Sequence, residues 1–76
     1  MTAMTTARRL LAEALAIADD KIPDDARIGM LEQWDSLAHT RMLLALEERL
    51  GKPLDAEEAV AIESLADIAA VLTKHG

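Results

Sequence analysis

Apolar residues recur along this chain at intervals of three and four, in four stretches, and nowhere show the two-residue alternation of a strand. In the first stretch Ala7, Leu10, Leu11, Ala14, Ile17 and Ala18 share one face, which predicts a helix from about Thr5 to Ala18. Arg8 and Arg9 oppose the helix dipole if that helix begins at Thr5, and a start capped by Thr2 relieves the conflict. The second predicted helix runs from Ser36 to about Leu50, with Asp35 as N-cap, Gly51 at its end and Pro53 preventing its return. A short third helix spans Ala56 to Ala61, where Asp55 and Glu58 have capping-box spacing, although the box proper uses Ser or Thr at the cap. The fourth runs from Leu65 to about Lys74, capped by Ser64, with Leu65, Ile68, Ala69 and Leu72 as its stripe.

Between the first two helices lies a long connection, Asp19 to Gln33. So long a loop in so small a domain is functional or pinned by its own apolar residues, and Ile28 and Leu31 are expected to tuck into the bundle. The fold class that follows is all-α: a four-helix bundle with a shortened third helix and a long first loop, in one domain over residues 1–76.

Composition narrows the chemistry. The 76 residues are 51% hydrophobic but only 1% aromatic, so the core is built from Leu, Ile, Val, Met and Ala, which suits helices. Cysteine is absent, which excludes disulfides and thiolate metal sites. The net charge of −6 repels phosphate polyanions and anionic membranes, and favours partners with basic patches. The N-terminus lacks the charged-then-apolar order of a secretory signal, and no apolar run reaches the ~20 residues of a membrane span. The expectation is a soluble cytoplasmic protein that binds neither nucleic acid nor membrane.

At about 100° per residue the second helix sorts into two faces. Met42, Leu43, Leu46 and Leu50 fall on the core side. Leu37 and Leu44 fall on the opposite side, with Arg41 and Glu48 beside them and Thr40 and Glu47 flanking. Isolated surface leucines are common; an apolar strip with a charged rim is also what a docking surface looks like. Ser36 lies between the faces, its hydroxyl at the positive end of a helix, where a phosphate ester is favoured. The residue reads as a point of attachment rather than as a catalyst.

With these residues in view the chain resembles an acyl carrier protein over essentially its whole length. The resemblance is carried by Asp35-Ser36-Leu37, by Ala45-Leu46-Glu47-Glu48, by the Leu50-Gly51 helix end, by Leu54, and by Glu57-Glu58-Ala59 and Ile62 before Ser64-Leu65. It implies that a phosphopantetheinyl transferase, using magnesium and coenzyme A, esterifies Ser36 with 4′-phosphopantetheine. The terminal thiol of that arm supplies the nucleophile this cysteine-free chain lacks and holds an acyl group as a thioester. It further implies that Asp35 and Leu37 belong to the attachment motif. Leu37, Thr40, Arg41, Leu44, Glu47 and Glu48 would meet acyl-loading and acyl-processing enzymes through their basic docking patches. Leu46, Leu54, Ala59 and Ile62 would line the space that shelters an acyl chain. Carriers of this type work as monomers and catalyse nothing themselves.

The chain departs from primary fatty-acid carriers at four places, one of them Arg49, which breaks the run of acids. Arg41 replaces an acid, Trp34 a small residue and Leu50 a phenylalanine. A reversed charge in a docking strip changes which enzymes are welcome, so a specialised fatty-acid or polyketide-type pathway is expected. A carrier of aminoacyl, peptidyl or aryl groups and an unmodified helical adaptor are the alternatives.

Other readings of the same residues are weaker. Asp35, Ser36 and His39 have the composition of a hydrolase triad, but His39 falls toward the core and no glycine-rich oxyanion loop is present. Asp35 and His39 alone are too few to hold a metal. Asp19, Asp20, Asp24 and Asp25 lack the positional pattern of a calcium loop. Trp34 is expected to pack at the corner where the loop becomes helix.

Overall fold

A computed structural model describes residues 2–75. Four α-helices are seen, α1 (Ala3–Leu15), α2 (Ser36–Leu50), α3 (Ala56–Ala61) and α4 (Leu65–His75), with a single 3₁₀ turn at Asp19–Lys21. The bounds of α2 and α3 agree with the sequence pattern, and α4 extends one residue further. Helix α1 packs against both α4 and α2 and occupies the centre of the bundle. Leu11, Met42, Leu46, Leu65 and Ile68 are the largest of the fully buried side chains, each worth about 1.5–3 kcal/mol of transfer out of water.

The ends of α1 differ from the predicted Thr5–Ala18. The Thr2 side chain accepts from the Thr5 amide at 3.2 Å, so the helix begins two residues earlier and the alternative cap is the real one. It stops at Leu15 because Ala16 adopts a left-handed conformation, φ 59° and ψ 41°. The Ala16 amide bonds Glu13 O at 3.2 Å and the Ile17 amide bonds Ala12 O at 3.1 Å, the reciprocal closure of a Schellman end. Ile17 folds back against the core as the apolar contact that accompanies this motif. Its place in the spacing therefore came from the cap rather than from a further helical turn, and Ala18 is exposed.

The arginines of α1 hold the long loop. Arg8 Nε donates to Ile22 O at 3.2 Å and its guanidinium pairs with Asp24. Arg9 lies 3.8 Å from Asp19. Ile22, Ala26 and Trp34 are the loop's buried residues. The expected anchors are corrected here: Leu31 is half-buried against the core, but Ile28 is exposed. A turn closed by Met30 N to Arg27 O at 3.0 Å, with Gly29 at φ 89°, lifts Ile28 and Met30 off the bundle. The backbone just before it is fastened instead. Ile28 N donates to Glu63 O at 2.8 Å and Leu65 N to Ala26 O at 2.9 Å, forming a β-bridge between Arg27 and Ser64.

Helix α3 has six residues, too few to stand without tertiary support. Before it, Glu47 Oε2 accepts the Leu54 amide at 2.8 Å. Asp55 occupies the N-cap position but makes no side-chain cap bond, so the capping-box spacing does not produce that bond. The Glu58 carboxylate turns to α4, 2.7 Å from His75 Nε2 and 3.5 Å from Lys74 Nζ. The His75 hydrogen bond is the main reason that Glu58 titrates below its ordinary 4.5, with lesser pulls from Lys74 and the Asp55 amide. At the start of α4, Ser64 Oγ accepts from Asp67 N at 3.1 Å and Asp67 Oδ2 accepts from Glu63 N at 2.9 Å, a reciprocal cap.

Two outcomes follow from these local geometries. Ala16→Gly removes the left-handed penalty of a Cβ and stabilises the protein by about 0.5–1 kcal/mol in urea titration, whereas a lower midpoint would contradict the assigned conformation. Because the folded Glu58 carboxyl titrates below 4.5, its clasp contributes above pH 4.5 and is lost as pH falls through the lower folded value. Glu58→Gln is accordingly less stable than the parent at neutral pH, and thermal melts show the gap closing as the pH drops below 4.5.

Candidate functional site at the start of helix α2

The first turn of α2 is fixed from both sides of Asp35. Its backbone is extended, φ −97° and ψ −175°, and its Oδ1 accepts the Ala38 amide at 2.9 Å. The Asp35 carbonyl receives the first intrahelical bond, from His39 N at 2.9 Å. Trp34, just before it, is 2% exposed and serves as the packing corner that the sequence suggested. Ser36 is therefore the first helical residue, and it is exposed.

The Ser36 and Leu37 amides precede that first intrahelical bond, so they join the unpaired positive end of the helix. The Ser36 hydroxyl bonds to no other described residue, while its carbonyl also accepts from Thr40 Oγ1 at 3.1 Å. An exposed, unengaged hydroxyl beside two unspent amides is arranged to bear an anionic ester. The residues fit a phosphodiester there on geometric grounds alone.

The arrangement does not fit a base-activated serine. Trp34 Nε1 donates to His39 Nδ1 at 3.0 Å, and the two rings stack with centroids 6.0 Å apart at 29°. A ring that accepts at Nδ1 carries its proton on Nε2, so neither nitrogen has a lone pair left for the Ser36 proton. Burial lowers the His39 pKa below 6.5, which keeps the ring in this neutral form.

The outer face of α2 runs down from Ser36. Leu37 and Leu44 are each 60% exposed, and Thr40, Arg41 and Glu48 are exposed around them. Glu47 is half-buried, its Oε2 on the Leu54 amide, so one of the two adjacent acids is tied into the fold. Met30, whose residue type suggests a filler of core gaps, is instead exposed in the loop, and Val60 on α3, 78% exposed, is the one large apolar residue of a six-residue helix, the signal that sequence reasoning did not use.

Of the four residues tied by resemblance to an acyl pocket, Leu46 and Ile62 are buried in the core and Leu54 packs half-buried against it. Ala59 is half-buried on α3. A surface hollow of about 240 Å³ touches only Ile62 of this group; it lies between α3 and α4, beside Ala61, Ala70 and Val71.

A family model described as the phosphopantetheine attachment site matches residues 6–72. No curated protein is matched by the chain. The matched span runs from within α1 to within α4, and so includes the loop corner, the exposed serine and the outer face of α2. The chain belongs to the phosphopantetheine attachment-site family, whose members are carriers bearing 4′-phosphopantetheine covalently.

Proposed function

We propose that this protein is an acyl carrier that bears its prosthetic arm on Ser36 and presents cargo to separate enzymes. The observation that carries the assignment of Ser36 is its exposed, unbonded hydroxyl at the first residue of α2, beside the Ser36 and Leu37 amides. In the loading step Ser36 Oγ attacks the phosphorus of coenzyme A that bears the pantetheine. The new Oγ–P bond replaces the phosphoanhydride bond, 3′,5′-ADP departs, and the hydroxyl proton passes to a base of the transferase, since His39 has none to offer. Once bound, the group supplies the thiol that holds an acyl chain as a thioester. The role of this chain is to fix the attachment point, through Asp35, and to be recognised.

Recognition is assigned to the outer face of α2. Leu37 and Leu44 form its apolar centre, with Thr40, Arg41, Glu47 and Glu48 around them. The net charge of −6 steers basic surfaces toward it. The exposed Arg41 cation in that strip supports a specialised fatty-acid or polyketide-type pathway over general fatty-acid synthesis. A sheltered acyl chain would lie between α2 and α3, meeting half-buried Leu54 and Ala59 before the buried Leu46 and Ile62.

Exposure to coenzyme A and a broad-specificity transferase adds one phosphopantetheine by intact mass. Ser36→Ala keeps the helical circular dichroism of the parent and gains nothing; a variant that still gained the arm would overturn the assignment. Glu48→Lys lowers kcat/KM for transferase loading and weakens its dependence on ionic strength, with melting unchanged. Glu47→Lys, in contrast, also destabilises the fold by about 1.5–3 kcal/mol, because the Leu54 amide loses a charged acceptor; urea titration separates the two acids.

A further inference from the structure

The Trp34–His39 pair has a consequence for the arm itself. Trp34 is buried, and its indole N–H fixes both the rotation of the imidazole and the location of its proton. The opposite nitrogen, Nε2, is left as an N–H donor that meets no acceptor among the described residues. The ring is half-buried and no unpartnered side-chain nitrogen is shielded from solvent among the described residues, so this donor is open to a ligand.

Its position is set by helix geometry. His39 follows Ser36 by three residues, and side chains at that spacing are neighbours on adjacent turns. Helical side chains lean toward the N-terminus. The bond from His39 back to Trp34, which precedes the helix, shows that this ring leans that way over the first turn.

Electrostatics gives the donor a task. A phosphodiester on Ser36 stands one residue from the Asp35 carboxylate, on a chain of net charge −6. Donors that engage it offset that repulsion. The Ala38 amide is already spent on Asp35. Resting on Ser36 as the point of attachment, we infer that His39 is a positioning residue for the arm: its Nε2–H donates to a non-bridging oxygen of the Ser36 phosphodiester. The neutral ring acts as a donor in one fixed tautomer and restrains the root of the arm against the helix.

The test compares apo and holo protein by nitrogen-15 and phosphorus-31 NMR. The parent, His39→Gln and His39→Leu are each loaded from coenzyme A, and the modified residue is located by peptide mass. Gln retains an acceptor for Trp34 and a donor for the phosphate; Leu retains neither. On loading, the His39 Nε2 proton of the parent should move downfield and exchange with solvent about tenfold more slowly, as a charge-assisted bond requires. His39→Leu should displace the phosphorus resonance and sharpen the pantetheine signals, and His39→Gln should restore the parent values at least in part. An Nε2 proton indifferent to loading, or identical phosphorus shifts in the parent and His39→Leu, overturns the inference while leaving the attachment at Ser36 intact. Mass on a different residue overturns both.

Discussion

The carboxylate of Asp35 on the Ala38 amide is the contact from which the rest of the site follows. It settles where the loop stops and α2 begins. A cap of this kind is worth about 1 kcal/mol, a modest figure, but its geometric effect is larger than its energy. Shifted by one residue, Ser36 would turn by about 100° around the helix and leave the unpaired amides behind. Burial of Trp34 backs the cap from the loop side, so the start of α2 is held by an apolar side chain and a charged one together.

The rest of the molecule economises on core. With a single aromatic residue and no cysteine, it ties its long loop and its shortest helix with polar contacts at their edges. Arg8 and Arg9 reach from α1 to the loop. Glu47 closes the turn before α3, and Glu58 clasps α3 to α4. Part of the acidic surface is therefore structural. Glu47 and Glu48 are adjacent in the chain, yet one is committed to a backbone amide and the other pairs with no described residue.

The helices and the placement of Ser36 were legible because they rest on local rules: spacing, an Asp cap and a Gly stop at Gly51. The errors lie where a local rule met a non-local one. Ala16 ends α1 in a conformation usually given to glycine, so no residue type announced the stop. Ile28 looked like an anchor by its hydrophobicity, but the turn at Gly29 and the pairing of residues 26–28 with 63–65 decided its orientation. Glu58 keeps the reach to the Asp55 amide that a capping box expects, but its strongest partner is His75, seventeen positions away, which the spacing did not announce. The neutral tautomer of His39 required the position of Trp34 in space, which helical periodicity cannot supply.

The lacing of the first loop to residues 63–65 also sets how α3 is held. The trailing edge of α3 is moored through main-chain bonds to segment 26–28, whereas its leading edge depends on side chains, those of Glu47 and Glu58. The two ends of α3 are thus held by different kinds of bond, main-chain at one and carboxylate at the other.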